Sequence, residues 1–295
     1  MSVVRGLYEL ARFHIFPSGI TPIFCSCAWG LTMAAYRGGL PPSSLARDIV
    51  TYFLVSTLVH GANCVLNDIL DRDIDRQEFL RTKNRPVAAG VISVFAAIVY
   101  MFALLAPCLL LLAYTDPLTF KLGLFGVFPL QALYPTMKRI TNWPQLWLGL
   151  AMNWGCPVAW VYLLGNVDLR VPAALFVGSV CWTIVYDTIY ACQDRKEDAK
   201  LRVGSTAVLF GNQLRPILAI FATVFVASLA YAGILNSQKL PYFLISVGGA
   251  AAHLGWQIGT LNPDDAKDCW KKFEAGGNLG YIVWGGMIAD YVGLF

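Results

Sequence analysis

Apolar runs of about twenty residues recur along the whole chain, and no other feature limits the fold as strongly. They fall near 16–36, 48–68, 91–114, 118–136, 145–164, 172–192, 214–235, 241–260 and 278–295. A bilayer core of about 30 Å takes roughly 20 such residues per helical crossing. Inside lipid, every backbone N–H and C=O must find its partner within the protein, which makes helices of runs this long. The pattern therefore predicts an all-α integral membrane protein: nine transmembrane helices in one bundle, a single domain over 1–295, with loops capping a central cavity on the cytoplasmic side. Pro17, Pro41, Pro42, Pro117, Pro144, Pro172, Pro216, Pro241 and Pro263 sit near run ends, where a missing N–H does least harm. With 57% hydrophobic and only 14% charged residues, the chain is far from the composition of a soluble domain.

The basic residues orient the bundle. With the N-terminus inside, Arg5, Arg12, the group from Arg72 to Arg85, Lys138, Arg139, the group from Arg195 to Arg215, Lys267, Lys271 and Lys272 lie inside, 17 of the 22 Lys and Arg. Arg37, Arg47, Lys121, Arg170 and Lys239 make the 5 outside. Such an excess over alternating loops is the positive-inside pattern. It also accounts for the net charge of +4 without nucleic acid, which is not expected as a partner. The lipid bilayer is.

Eight cysteines occur without a CxxC pair, and Cys25, Cys27, Cys64, Cys108, Cys156, Cys181 and Cys192 lie inside apolar runs, so they read as small core residues. His14, His60 and His253 are dispersed and make no metal-ligand spacing. The first apolar run has no small-residue cleavage motif and Met1 to Phe13 carries Glu9, so neither a signal nor a transit peptide is expected.

Polar chemistry is concentrated in two stretches, each at the end of an apolar run. Asn67, Asp71 and Asp75 stand four apart, and 123 residues on, Tyr190, Asp194 and Asp198 repeat the spacing. Residues four apart on a helix rise about 6 Å and share a face, so each stretch presents a ladder of oxygens. Two facing acidic ladders repel by roughly 4 kcal/mol per charge pair at 4 Å and an effective dielectric of 20, so cations must lie between them. Asp73 and Glu197 are out of step with the ladders and are expected to be solvated. Asp187 lies a turn deeper than Tyr190, within an apolar run, where an ionised carboxylate costs about 2.5–3.5 kcal/mol, and is a functional candidate on that ground.

Clustered Asp and Asn oxygens beside Lys and Arg suit Mg²⁺ bridging to phosphate. Two ladders fit two phosphates better than one, and in an aromatic-rich membrane protein the natural diphosphate is an isoprenoid. Metal would neutralise the leaving diphosphate as its C–O bond breaks, and Phe, Tyr and Trp faces would stabilise the allylic cation left behind.

These stretches resemble the UbiA superfamily of intramembrane prenyltransferases. The family's NDxxDxxxD motif stands here as Asn67-Asp68-Ile69-Leu70-Asp71-Arg72-Asp73-Ile74-Asp75, followed by Arg81-Thr82-Lys83-Asn84-Arg85-Pro86, which resembles its T-x-N-R-P segment. Its YxxxK element is matched by Tyr134 to Lys138, and its second acidic motif by Asp187 to Asp198 with Lys200 and Gly204-Ser205-Thr206. The resemblance implies that Asn67, Asp71, Asp75, Asp194 and Asp198 hold Mg²⁺ and the diphosphate. It implies that Asp68, Lys83, Arg85, Tyr134, Lys138, Tyr190 and Lys200 serve substrate binding, Lys138 and Tyr134 at the reacting diphosphate. Asp187 would orient the acceptor or take its ring proton.

Two places depart from the pattern of family members acting on 4-hydroxybenzoate. Where R-x-D-[KR]-P-x-G often opens those chains, this one reads Arg12-Phe13-His14-Ile15-Phe16-Pro17-Ser18-Gly19. Where their last loop often reads F-x-[SA]-N, it has Phe273-Glu274-Ala275-Gly276. The expected partners are an allylic isoprenoid diphosphate, farnesyl above others, and a phenolic acid of the orsellinic-acid type, as in fungal meroterpenoid enzymes, in an endoplasmic-reticulum-type membrane rather than the mitochondrial inner membrane. The alternatives are a 4-hydroxybenzoate polyprenyltransferase of ubiquinone synthesis and, more remotely, a cation-coupled transporter, whose acids would be spread through the span.

Overall fold

In a computed structural model, the described residues are 2–17, 19–77 and 82–294; Ser18 and Arg81 of the stretches quoted above lie outside them. Every long apolar run is helical. In chain order the helices are α1 (Val3–Leu10), α2 (Thr21–Gly38), α3 (Pro42–Leu70), α4 (Arg72–Gln77) and α5 (Val94–Ala113). Then come α6 (Pro117–Phe125), a π-helical turn (Gly126–Gln131), α7 (Ala132–Ile140), α8 (Pro144–Asn153), α9 (Gly155–Leu164), α10 (Arg170–Ala191), α11 (Arg195–Leu201) and α12 (Thr206–Phe210). The chain closes with α13 (Leu214–Leu235), a second π turn (Tyr242–Gly248), α14 (Gly249–Gly259) and α15 (Ala266–Tyr291).

Helix starts follow local chemistry. Pro42, Pro117 and Pro144 occupy first-turn positions whose N–H would be unpaired anyway. Ser93 and Asp116 cap α5 and α6 by accepting from the Ala96 and from the Leu118 and Thr119 N–H groups. Among the described residues, five stretches are long and apolar enough to cross a membrane: Pro42–Leu70, Val94–Ala113, Pro144–Leu164, Arg170–Leu201 and Thr206–Leu235. The runs near 16–36, 118–136, 241–260 and 278–295 appear as α2, as the rod α6–α7 broken by a π turn, as the second π turn with α14, and as α15. Helix ends overrun the apolar windows, because helices continue into polar sequence: α15 begins at Ala266, ahead of Lys267, Lys271 and Lys272.

α2 and α10 form the axis. Every residue of α2 from Thr21 to Ala35 is buried, as is most of α10, the mark of helices surrounded by protein. Gly30 lies so close to the Cys156 carbonyl that no Cβ fits, which lets α2 and α9 pack backbone to backbone. Trp29, Trp182 and Phe225 join α2, α10 and α13, with ring centroids 5.2 Å and 6.1 Å apart along the series. α5, by contrast, exposes Phe95, Val99, Phe102, Leu110 and Leu111, an apolar outer wall suited to lipid. The cysteines are unpaired and buried, except for the half-buried Cys64.

Candidate active site

The first ladder survives the end of α3. Asp71 N–H donates to the Asn67 carbonyl and Asp75 N–H to the Asp71 carbonyl, both at 2.8 Å, so the helical register runs on from α3 into α4. Arg139 of α7 donates to the Leu70 carbonyl at 2.8 Å and closes that helix end. Asn67 Nδ2 donates to Asp71 Oδ2 (3.1 Å), and Lys138 Nζ lies 3.7 Å from the same oxygen. Asp71 Oδ1 is buried without a hydrogen-bond partner.

Two arginines stand behind this ladder. Arg85 Nη1 contacts both oxygens of Asp75 at 3.2 and 2.9 Å, and Asp68 Oδ1 takes Arg12 Nη2 at 2.7 Å and Arg85 Nη1 at 3.3 Å. Asp68 is fully buried, with Oδ2 unpartnered. Burial pushes the Asp75 carboxyl up to about 6 against the opposing pull of Arg85.

The second ladder is bent. Tyr190 lies in the last turn of α10, Asp194 ends a 3₁₀ turn (Cys192–Asp194), and Asp198 lies in α11. Arg195 ties this turn to Asp264 at 2.8 Å, and the Tyr190 ring packs on Phe273 at 4.7 Å. A third wall comes from α7. Gly204 N–H donates to the Lys138 carbonyl at 2.8 Å, and Thr206 N–H to Gln145 Oε1 at 3.0 Å, so the strand of chain after α11 is fastened across α7 and α8.

The three walls enclose a cavity of about 320 Å³. Asn67, Asp71 and Asp75 line it on one side, Tyr190, Asp194 and Asp198 on another, and Tyr134, Lys138, Arg85 and Asp187 complete it. Asp187 is half-buried. Of the remaining candidates, Asp68 sits behind the wall in its arginine pair, while Lys83 and Lys200 are exposed and outside the lining. Lys200 is two positions from Asp198, a spacing that turns a helical side chain away. Asp73 is exposed as expected, and Glu197 is half-buried.

Sequence reasoning missed Arg12 as a lining residue, together with His60, Asn63, Gln131, Gln145 and Phe273. His60 and Asn63 continue the i, i+3/i+4 face of Asn67 and were findable; Gln131 depends on the π turn. Five carboxylates (Asp71, Asp75, Asp187, Asp194, Asp198) face three cations (Arg12, Arg85, Lys138), so the lining is two charges to the acidic side. Among the described residues no three His, Cys, Asp or Glu side chains gather as a ready metal centre.

The chain matches the UbiA prenyltransferase family over residues 23–282 and belongs to it. As a member it is a multi-pass membrane protein and a transferase of prenyl groups, and the transporter reading falls. It is 45% identical to the UbiA prenyltransferase claS of Ampulloclitocybe clavipes over 98% of this chain and 92% of that protein. It is 36% identical to the mitochondrial 4-hydroxybenzoate polyprenyltransferase of Schizosaccharomyces pombe over 94% of this chain and 77% of that one. The fold is that of an apo UbiA homolog from Aeropyrum pernix K1 (TM-score 0.77, 19% identity, 92% and 97% covered). It is also that of a UbiA homolog from Archaeoglobus fulgidus bound to GPP and Mg²⁺ (TM-score 0.67, 17% identity, 97% and 99% covered).

Proposed function

We propose that this protein is a Mg²⁺-dependent aromatic prenyltransferase, which transfers an allylic isoprenoid, farnesyl above others, from its diphosphate to a ring carbon of a phenolic acid of the orsellinic-acid type. The observation that carries this reading is the cavity in which both oxygen ladders and Lys138 meet. Its lining is already acidic, so a diphosphate is repelled unless divalent cations come with it. Asp71 Oδ1, buried and unpartnered, fits a metal ligand. With no three-ligand cluster among the described residues, an ion here would complete its oxygen shell from the phosphates, as hard Mg²⁺ commonly does. The Mg²⁺ and GPP of the archaeal homolog of the same fold support the assignment.

In the reaction, the C–O bond between the isoprenoid and its diphosphate breaks, the phenol ring carbon bonds to the allylic carbon, and the ring proton leaves. Asn67, Asp71, Asp75, Asp194 and Asp198 would hold Mg²⁺, which supplies charge neutralisation for the departing diphosphate. Lys138 and Arg85 take phosphate oxygens, Arg85 also fixing Asp75. Tyr134 and Tyr190 flank the diphosphate, and Asp187, deeper on α10, receives the ring proton. The chain forms one domain that crosses the membrane nine times with the ladders toward the cytoplasm.

The identity to the UbiA prenyltransferase claS exceeds that to the fission-yeast 4-hydroxybenzoate enzyme; the membrane proposed for this protein is of the endoplasmic-reticulum type. The second reading is a 4-hydroxybenzoate polyprenyltransferase, favoured by 36–40% identity to several mitochondrial relatives of that name. Membranes carrying the protein, incubated with Mg²⁺ and geranyl, farnesyl or longer diphosphates, against orsellinic acid and 4-hydroxybenzoate, decide between them. Mass of the adduct identifies the pair, and absence of any adduct overturns the phenol assignment.

A further inference from the structure

At the end of the bundle away from the active site, α2, α13 and α15 all stop beside one turn of chain, residues 236–239. Tyr36 Oη donates to the Ser237 carbonyl at 2.9 Å, Asn236 Nδ2 to the Met33 carbonyl at 3.0 Å, and the Lys239 N–H to Asp290 Oδ2 at 2.8 Å. The turn is thus fastened to α2 on one side and to α15 on the other. From Pro22, which lines the active-site cavity, α2 rises roughly 21 Å to Tyr36, so the two places are separate. Buried polar groups without a partner gather at the turn. Of ten such side-chain atoms among the described residues, four are here: Asn236 Oδ1, Gln238 Oε1, Gln238 Nε2 and Asp290 Oδ1. Asn236, Gln238 and Asp290 are 1%, 8% and 3% exposed, so bulk water does not serve them. The backbone is not at fault, because the N–H groups of Asn236, Ser237, Gln238 and Lys239 are all bonded.

Charge is out of balance there as well. Among the described residues no Lys or Arg side chain forms an ion pair with Asp290: Arg37, at the same end of the bundle, pairs with Asp168 (3.2 Å) and donates to the Leu235 carbonyl (2.9 Å), and the Lys239 side chain is exposed. The carbonyl ends of three helices, α2 at Gly38, α13 at Leu235 and α15 at Tyr291, add partial negative charge around the same spot. A buried carboxylate so placed must gain a proton or a cation. A proton on Asp290 would satisfy at most two of the four atoms. A cation serves three oxygens together, since the Gln238 amide, unpartnered at both ends, can turn its oxygen inward. We propose that Asn236, Gln238 and Asp290 form a binding site for one monovalent hard cation, Na⁺, which clamps the ends of α2, α13 and α15. The donors are all oxygen, which disfavours soft metals. One carboxylate balances one positive charge, whereas Ca²⁺ affinity depends on the number of charged ligands and Mg²⁺ keeps its own waters. Helix C-termini are recurrent Na⁺ ligands inside membrane proteins. The site is distinct from that of the catalytic Mg²⁺ and does not depend on the prenyl-diphosphate reading.

The test is thermal unfolding of the purified full chain in detergent, titrated with NaCl while choline chloride holds the ionic strength constant. The wild-type midpoint should rise by about 2 °C or more and then saturate. Asp290→Asn keeps the side chain's size and an oxygen for the Lys239 N–H, and it should abolish the rise. Gln238 has no side-chain bond to lose, so its variants fold even if Asp290→Asn does not. Gln238→Leu should also abolish the rise, and Gln238→Glu, with a second carboxylate, should make the midpoint respond to CaCl₂. A wild-type midpoint indifferent to Na⁺ means that water or a proton satisfies these groups, and overturns the site. A rise that persists undiminished in Gln238→Leu puts the ion elsewhere and overturns it too. A wild-type response to Ca²⁺ but not to Na⁺ overturns the monovalent assignment.

Discussion

Asp71 carries the sharpest chemistry of any single residue. One carboxylate oxygen is engaged by Asn67 and Lys138, and the other is buried with no partner, an arrangement that costs about 1–3 kcal/mol until something electropositive arrives. Asp71→Asn and Asp194→Asn should each lower kcat/KM by about a hundredfold or more while leaving the fold intact. Wild-type turnover in either, by product mass, removes that residue from the cage. Arg85→Ala should weaken metal affinity by about 10–100-fold through the loosened Asp75, whereas Lys83→Ala and Lys200→Ala, exposed and outside the lining, should change it little. Titrating activity with Mg²⁺ separates these cases. Asp187→Ala should keep diphosphate affinity and lose product, and loss of binding instead would move Asp187 into the cage.

Among elements, the segment after α11 holds the third wall in place. Gly204 lies against the Thr141 and Lys138 carbonyls with no space for a Cβ. Gly204→Ala must lift this segment, break the bond to the Lys138 carbonyl and shift Lys138 relative to Asp71. The expected result is a higher KM for the diphosphate and a stability loss of about 1–3 kcal/mol, read by thermal unfolding in detergent. The two acidic ladders were legible because a four-residue repeat at the end of an apolar run has one helical meaning. Their surroundings were less so. The Arg12–Asp68 pair joins positions 56 apart with no local signal, and the placement of Gln131 depends on a π turn that apolar windows do not register. The bend at Cys192–Asp194 was likewise invisible, since the spacing of Tyr190, Asp194 and Asp198 fits an unbroken helix.

At the scale of the molecule, the axis of α2 and α10 is formed by close packing. Gly30→Val should force α2 from α9 and cost more than about 3 kcal/mol, seen as lost monodispersity and a lower melting temperature. Metal removal should act differently. With no ready three-ligand cluster among the described residues, EDTA should silence transfer and Mg²⁺ restore it, but Mg²⁺ alone should leave the melting temperature unmoved, a rise requiring diphosphate as well. The run of α3 from Asp71 down to Val55 passes from ionic to oily surroundings within one rod. On the proposed reaction its two products have opposite solubilities: the freed diphosphate belongs to water beside the charged end, and the alkylated phenol to lipid beside the oily one. The bilayer then acts as an extraction solvent, drawing one product away from the other, so that recombination is suppressed by partitioning.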